Sequence, residues 1–368
     1  MKMTRRIINM CLLLLFMAGC QPSAVEVQTP PNDSTPSGFE KVPNEEIAEI
    51  ALLKVDNFER VVGWLSDEEV VYITRQHDDF LLHTYHIASG VTSDLLTIKD
   101  SILEVRIHPD LTKIAIVTSS NSLSATIHIY SVTGEKIDEL TIESSEMYWD
   151  WHANQSDKLF FSAFYEDWSF DSFVYSSKTK ELKRLDTLDP FGKWGSDSTI
   201  HAINWEENDA ISGGKERVID TDTMRFHDLK ENNIIYIETF KDLSVTVSIS
   251  EDQKSFIYTL KDFNGKSAIF ELPSISNYSQ WFIPDIELLS DESLITYEAS
   301  ESGLMDTISP NYSLVKLSLD ATTTEISVGP YHLFTCSPSG QRCLIGVHLE
   351  EILMIESGQK TPWIQIKE

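Results

Sequence analysis

Basic residues are scarce in this chain. Its 368 residues include 29 lysines and arginines against 58 aspartates and glutamates, which gives a formal net charge of −29. Electrostatic binding to nucleic acid or to anionic membrane surfaces needs clusters of positive charge. The composition therefore excludes nucleic acid as a partner, and acidity spread along the whole chain is typical of a well-solvated surface.

Long hydrophobic runs are also scarce. The apolar stretch Ile7–Met17 has eleven residues and includes Asn9, whereas a membrane-spanning helix needs about 20 apolar residues. Basic residues precede this stretch, and Ala18, Gly19 and Cys20 follow it. That order is typical of a signal peptide that is removed on export.

Cysteine is rare, with four residues in the chain. Cys11 lies in the predicted signal peptide, and small residues before Cys20 resemble the lipobox of bacterial lipoproteins, in which the cysteine takes a diacylglycerol. We expect a signal peptide over residues 1–19 and a lipid on Cys20 that anchors the protein to the extracytoplasmic side of the cell membrane. The alternative is an ordinary signal peptide whose Cys20 lies near the cut by chance.

Large apolar side chains are almost missing from residues 21–44, which are rich in Pro, Ser, Thr and Asn. Such a segment cannot bury a core, so residues 20–44 are predicted to be the lipidated cysteine and a flexible tether. After removal of residues 1–19 the chain keeps 26 basic and 58 acidic residues, a net charge of −32. No second linker follows, and residues 45–368 are predicted to form one domain.

Motifs that would indicate catalysis are missing. The sequence has no Gly-x-Ser-x-Gly elbow, no phosphate-binding loop and no calcium loop. Pairs of acids such as Asp220 and Asp222 carry no specificity in so acidic a chain. We therefore expect a protein without a cofactor or a metal, in which the catalytic residues, if any, are unknown, and which is not an enzyme.

The sequence does contain many short alternations of apolar and polar residues between turns, which indicate an all-β fold. A recurring unit consists of a strand, a turn of the Ser/Pro/Asp type and a second strand. We find seven copies, of which the one near Trp205 is weak: residues 64–72, 105–116, 151–161, 202–213, 249–258, 288–297 and 336–345.

The copies are about 39 to 52 residues apart, which matches the roughly 40 to 50 residues of a β-propeller blade. Further strand pairs follow most copies, as in residues 125–132 and 136–142. The sequence therefore predicts a propeller of four-stranded antiparallel blades, which closes on itself because each blade buries its faces only against its neighbours.

The turn motif resembles the W-S-P-D-G-x-x-I-A-F repeat of TolB-like propellers. With the lipobox, the acidic mature chain and Gly63-Trp64-Leu65-Ser66-Asp67, the sequence is similar to the YqgU-like propeller lipoproteins of Bacillus-type bacteria. This resemblance implies a six-bladed propeller and a family without an assigned activity. The repeat count gives seven blades, so six remains the alternative at this stage.

Cys336 and Cys343 flank one copy of the turn. If residues 338–341 make the turn, the two cysteines face each other across a hairpin, at a distance that a disulfide tolerates. Export permits oxidation. A disulfide and a pair of reduced, buried thiols are both compatible with the pattern.

One stretch, residues 148–173, holds ten aromatic residues among acids. Part of it should be core, but the segment 164–171 lies in a loop on the propeller face where ligands most often bind, and the next loop between blades, 190–194, lies on the same side. Exposed aromatic and acidic side chains suit a protein, a basic ligand or a sugar. The alternative is that these aromatics fill the gap between blades. The candidate binding face consists of Tyr165, Glu166, Asp167, Trp168, Phe170, Asp171, Phe191 and Trp194.

The sequence therefore favours a membrane-anchored, non-enzymatic propeller that binds or scaffolds a protein, a peptide or an envelope glycan. The alternative is a propeller enzyme of the lactonase, lyase or glycosidase type that acts through residues of the central channel. A ring of converging acidic or polar side chains with perturbed pKa values on the innermost strands would favour that alternative.

Overall fold

The computed structural model describes residues 50–187, 189–196, 198–205 and 210–367. The predicted signal peptide, Cys20 and the tether lie outside these residues. Within the described part the chain forms strands and no helices, as its alternating pattern predicts. No described segment is a helix that is both long and apolar enough to cross a membrane.

Seven four-stranded antiparallel sheets follow one another along the chain. Each sheet is one blade, and their strands are as follows. Blade 1 has β2 (Phe58–Trp64), β3 (Glu69–Gln76), β4 (Asp79–His86) and β5 (Thr92–Ile98). Blade 2 has β6 (Ser101–Ile107), β7 (Lys113–Asn121), β8 (Ser124–Ser131) and β9 (Lys136–Glu143). Blade 3 has β10 (Glu146–Trp151), β11 (Lys158–Phe164), β12 (Phe170–Ser176) and β13 (Glu181–Leu185).

The remaining blades follow the same order. Blade 4 has β14 (Lys193–Trp194), β15 (Thr199–Asn204), β16 (Lys215–Asp220) and β17 (Phe226–Asp228), and blade 5 has β18 (Ile234–Thr239), β19 (Leu243–Ile249), β20 (Ser255–Asp262) and β21 (Ser267–Pro273). Blade 6 has β23 (Glu287–Leu288), β24 (Leu294–Ala299), β26 (Tyr312–Leu317) and β27 (Thr323–Gly329), and blade 7 has β28 (Leu333–Cys336), β29 (Arg342–Gly346), β30 (Glu351–Met354) and β31 (Lys360–Pro362). Two parallel pairs lie outside the blades, β1 (Leu53–Val55) with β32 (Ile364–Ile366) and β22 (Ile275–Ser276) with β25 (Gly303–Leu304).

The hydrophobic core lies between neighbouring blades. One cluster joins Ala115 and Val117 of blade 2 to Trp149 and Phe161 of blade 3. The second strands of blades 2 and 3 are buried over most of their length, because they pack against a blade on each side, whereas the fourth strands of blades 2 and 5 alternate or are exposed. Burial of both faces of every blade is therefore what requires the ring.

The ring closes between blade 7 and blade 1. The first described strand, β1, pairs in parallel with the last, β32, with Leu53 opposite Ile364. The indole of Trp64 donates to the Thr335 carbonyl at 3.0 Å, and the fully buried Trp363 packs against Tyr85 with ring centroids 5.8 Å apart. Both ends of the domain are thus held at one seam.

The count of seven blades is confirmed, but two copies of the repeat were placed in the wrong hairpin. Five copies lie between the first and second strands of a blade, as predicted. Residues 202–213 and 249–258 instead lie between the second and third strands of blades 4 and 5. A turn of Ser and Asp specifies a local reversal of the chain and not the position of that hairpin within a blade. Residues 206–209 of the weak copy lie outside the described residues.

Candidate functional site

The two faces of the propeller are distinguished by their loops. The loops between blades and the loops between second and third strands open on one face, which we call the inter-blade face. Large exposed hydrophobic residues are frequent there. Among the described residues, seven such side chains lie in these loops or at the start of a first strand, namely Leu123, Trp168, Phe191, Tyr278, Met305, Leu333 and Val347. On the opposite face, three lie in the loops between third and fourth strands, namely Val91, Met224 and Phe263.

Trp168 is the most exposed of them, with 88% of its surface accessible. It lies in the turn between β11 and β12, which Tyr165 and Ser169 close through a backbone hydrogen bond of 2.9 Å. The side chain of Asp167 accepts from the Ser169 amide at 3.0 Å. Trp168 has a φ of 66°, a left-handed conformation that costs a residue with a side chain about 1 to 2 kcal/mol.

The acids of this turn remain at the surface. Glu166 and Asp167 are exposed, and the hydrogen bonds from Ser169 hold the pKa of Asp167 below its ordinary value. Asp171 accepts from the Tyr165 hydroxyl at 3.2 Å and forms an ion pair with Arg184. The structure therefore brings exposed aromatic surface and carboxylates together at this turn.

Phe191 lies beside this turn and is 56% exposed. Its ring centroid is 5.9 Å from that of Phe164, which in turn is 5.9 Å from Phe170. The buried carboxylate of Asp189 fixes the loop by accepting from the amides of Phe191 at 3.0 Å and Ile203 at 2.8 Å. The segments 164–171 and 189–192 thus converge on the inter-blade face.

The placement of Trp194 in this exposed group was wrong. Trp194 is 4% exposed and packs with Phe160 and Ile200 between blades 3 and 4. It is the last residue of β14, so it lies at the far end of a first strand and not in the loop that precedes the strand. Trp194 therefore fills the gap between two blades, which was the alternative prediction for these aromatic residues.

A second candidate site, which the sequence did not place, lies in the central channel. An open cavity of about 670 Å³ is lined by the ends of the first strands, away from the inter-blade face. Its wall presents apolar and polar surface in similar amounts. The apolar part includes Trp64, Trp151 and Phe240, and the charged lining residues are Arg106, Asp150, Lys241 and Glu287. That volume is typical of a site for a small molecule.

Asp150 belongs to a buried network in the channel wall. The Lys193 Nζ lies 2.9 Å from Glu238 Oε2 and 3.9 Å from Asp150 Oδ1, and the amide of Trp194 donates to Asp150 at 2.8 Å. Burial raises the pKa of Asp150 to about 6, and Glu238 adds to this while Lys193 opposes it. Burial alone would lower the pKa of Lys193, but Glu238 and Asp150 outweigh it and raise that pKa well above its ordinary value.

Glu287, the first residue of β23, is held differently. Its carboxylate accepts from the Cys336 amide at 3.1 Å. Burial raises the pKa of Glu287 to about 7, although hydrogen bonds from Cys336 and from the Thr335 hydroxyl lower it. In the described part of the chain no Lys, Arg or His nitrogen lies within 4.0 Å of this carboxylate.

Carboxyl groups with perturbed pKa values on the innermost strands are the feature that would favour a functional channel. The signal was present in the first strands of the blades, which carry six acidic and three basic residues, but the sequence alone did not show which side chains converge. Among the described residues, no group of three or more His, Cys, Asp or Glu side chains is arranged to hold a metal ion.

The predicted hairpin of Cys336 and Cys343 is found in the structure. The two residues are direct partners of β28 and β29, with Cα atoms 3.9 Å apart, and Ser337 donates to the Arg342 carbonyl at 2.8 Å. The sulfurs form a disulfide. Cys343 is fully buried in the core between blades 6 and 7. The disulfide therefore belongs to the structural core next to Glu287, which accepts from the Cys336 amide.

Comparison with known proteins agrees with this architecture. The chain is 22% identical over 354 residues to the uncharacterised lipoprotein YqgU of Bacillus subtilis strain 168, which covers 95% of this chain and 94% of that protein. A crystal structure of an uncharacterised protein from Listeria monocytogenes EGD-e is similar with a TM-score of 0.79, at 18% identity, over 86% of this chain and 98% of that one. The propeller domain of the Trilobed protease from Pyrococcus furiosus is similar with a TM-score of 0.55, at 11% identity, over 86% and 97% of the two chains.

The two structural likenesses concern the fold alone, because their sequence identities are low. The family model of the YqgU-like 6-bladed beta propeller domain matches residues 86–346, which is more than half of the chain. The structure has seven blades where that description gives six. With its match to the family model and its likeness to a lipoprotein, the chain belongs to the family of YqgU-like β-propeller domains.

Proposed function

We propose that this protein is a lipid-anchored, extracytoplasmic binding module whose inter-blade face docks a protein of the cell envelope. The observation that carries the proposal is the near-complete exposure of Trp168 beside Phe191. Exposed aromatic clusters are uncommon on monomers and mark contact sites. Tryptophan in particular contributes a large share of the binding energy at protein interfaces.

The backbone at Trp168 supports the same conclusion. A left-handed turn position is occupied most easily by glycine, yet here it presents a tryptophan to solvent. Eleven other described non-glycine residues also have a positive φ, so this conformation recurs in the loops of the fold, and the exposed indole is what distinguishes this turn. The turn therefore presents its side chain on a fixed support of two long strands.

Charge defines the chemistry of the partner. Glu166 and Asp167 lie in the same turn as Trp168, Asp171 lies in the strand that follows it, and of these three acids only Asp171 has an ion pair, with Arg184. A partner surface with arginine or lysine among apolar residues would satisfy both the carboxylates and the aromatic faces. We therefore expect a protein or peptide with a basic docking segment, in preference to an envelope glycan.

The docking face is tested by capture from solubilised envelope with the mature, lipidated protein. The double variant Trp168→Ala and Phe191→Ala should lose the captured partner while its melting temperature stays unchanged. Phe263→Ala is the matched control, since Phe263 is 54% exposed in a loop of the opposite face. Equal capture by the double variant and the wild type would contradict the proposal.

Anchoring through Cys20 is tested separately. Because the lipid is attached through a single thiol and the tether separates it from the propeller, Cys20→Ala should move the protein from the membrane fraction to the soluble fraction. The far-ultraviolet circular dichroism and melting temperature of the propeller should not change. Retention of this variant in the membrane fraction would refute lipid anchoring.

The enzyme alternative depends on the channel cavity, where the carboxyl groups of Asp150 and Glu287 have raised pKa values. A group that titrates near neutral pH suits general acid or base catalysis. If the channel is catalytic, hydrolysis of lactone or glycoside substrates by the wild type should be lost in Asp150→Asn and should remain in the Trp168→Ala and Phe191→Ala variant.

A further inference from the structure

The channel cavity carries an inference of its own, independent of the docking face. Just over half of its wall is apolar, formed by residues such as Ile107, Trp151 and Leu289. Into this wall the structure places Glu287, a carboxyl group with hydrogen-bond donors but, among the described residues, no basic partner within 4.0 Å. Glu287 is only partly exposed, and a carboxylate that is largely removed from water without a basic partner is costly, so such a group favours protonation or pairing with a cation from outside the chain.

The other charged residues of the cavity do not supply that cation. Arg106 is engaged with Glu104 through its Nε and with the Trp149 carbonyl at 3.1 Å, and its guanidinium lies over the Trp149 ring. Lys241 is exposed at the start of the loop after β18. The positive charges at the cavity are therefore either committed to other partners or accessible to water.

Asp150 provides a contrast within the same cavity. It has the Lys193 ammonium 3.9 Å away and a backbone amide at 2.8 Å, and Lys193 is shared with Glu238. Two carboxylates thus share one ammonium group, which leaves this part of the wall negative as well. Because Lys193 is shared with Glu238 and Arg106 is paired with Glu104, the carboxylate of Glu287 favours a positively charged guest at its end of the cavity.

We propose that the channel cavity is a binding site for an organic ammonium ion, with Glu287 as its counter-ion and the aromatic and aliphatic wall holding its apolar body. A volume of about 670 Å³ accommodates a molecule of metabolite size. Trp64, Trp151 and Phe240 line the site, and aromatic rings also attract cations. The ligand class is therefore a primary amine with an apolar group.

The probe is 2-phenylethylamine, titrated calorimetrically at pH 8 into the mature protein, with 3-phenylpropionate as a guest of similar shape and opposite charge. We expect the amine to bind and the carboxylate not to bind. Failure of the amine to bind, or equal binding of the two guests, would overturn the proposal without any variant being needed.

Glu287→Gln keeps the size of the side chain and an oxygen that accepts from the Cys336 amide, so the fold should be retained. It should weaken binding of 2-phenylethylamine at least tenfold. Glu251→Gln, which removes an exposed carboxylate outside both candidate sites, should bind as the wild type does. Unchanged affinity in folded Glu287→Gln would show that the amine binds elsewhere and would also overturn the assignment.

Discussion

Trp168 and Trp194 belong to neighbouring blades, and sequence patterning placed them on one exposed face, yet the structure separates them completely. Trp168 is 88% exposed and Trp194 is 4% exposed. The first lies in the turn between two long strands, and the second ends a two-residue first strand that packs between blades. A place on a first strand therefore buries Trp194 between blades, whereas a turn on the inter-blade face leaves Trp168 available for recognition.

The largest effect on stability is expected at the buried tryptophan, Trp194. Trp194→Ala should lower the free energy of unfolding by about 3 to 5 kcal/mol, because it leaves a cavity next to Phe160 and Ile200. Denaturant unfolding followed by fluorescence measures this, with Trp168→Ala as the matched tryptophan control. A loss below about 1 kcal/mol in Trp194→Ala would contradict the burial of Trp194 between the blades.

Glu287 tests whether the first strands also bury charge. The pKa of its carboxyl group is about 7 in the folded protein against an ordinary value of 4.5. A raised folded pKa means that the folded state holds the proton more tightly, so the contribution to stability is complete below about pH 4.5 and is lost as the pH rises to about 7. Relative to Glu287→Gln, the wild type should therefore lose about 3 kcal/mol over this range.

The measurement is denaturant unfolding of both proteins at several pH values. Asp150 titrates in both, so the difference between them isolates Glu287. Glu166→Gln serves as the control, because Glu166 is exposed. A difference that stays constant with pH would show that Glu287 is solvated like a surface acid.

The amide of Cys336 donates to Glu287, and the disulfide of Cys336 and Cys343 should contribute less to the free energy of unfolding. Closing a short loop with a disulfide stabilises the folded state by about 2 to 3 kcal/mol through the entropy of the unfolded chain. Reduction of the wild type should lower the free energy of unfolding by that amount, and the variant Cys336→Ala with Cys343→Ala should not respond to reductant. Two free thiols in the exported protein, found by thiol titration, would contradict the disulfide.

The smallest effect is expected at the exposed tryptophan. Trp168→Ala should change the free energy of unfolding by less than about 0.5 kcal/mol, as is usual for surface positions. Trp168→Gly should raise it by up to about 1 kcal/mol, because glycine adopts the left-handed turn without strain. A large loss of stability in either variant would mean that Trp168 packs against the propeller.

Much of the scaffold was predictable from residues close together in the sequence. The alternation in β19 and β21 and the turn of Ser337 to Gly340 are local patterns, and they indicated strands, hairpins and the direct pairing of Cys336 with Cys343. The assignment of two repeat copies to the wrong hairpin has a local cause too, because one turn sequence fits either reversal in a blade.

The residues of the candidate sites also differ in whether local sequence could predict their placement. Trp168 and Phe191 could be named because a loop residue between strands is exposed by default. Trp194, Asp150 and Glu287 could not be placed, because their burial depends on residues of a neighbouring blade, namely Phe160 for Trp194, Lys193 for Asp150 and Cys336 for Glu287. Such contacts form only when neighbouring blades pack together.

Local patterns in the sequence predicted the all-β class, seven copies of the repeat with six blades as the alternative, and the hairpin of the two cysteines, because strand alternation and turn chemistry act over a few residues. The burial of Trp194 and the set of acids that line the channel follow only from packing in the folded protein. The reason is that each blade is buried by its neighbours and the first strands meet at a common axis, so both properties arise from packing between segments distant in sequence.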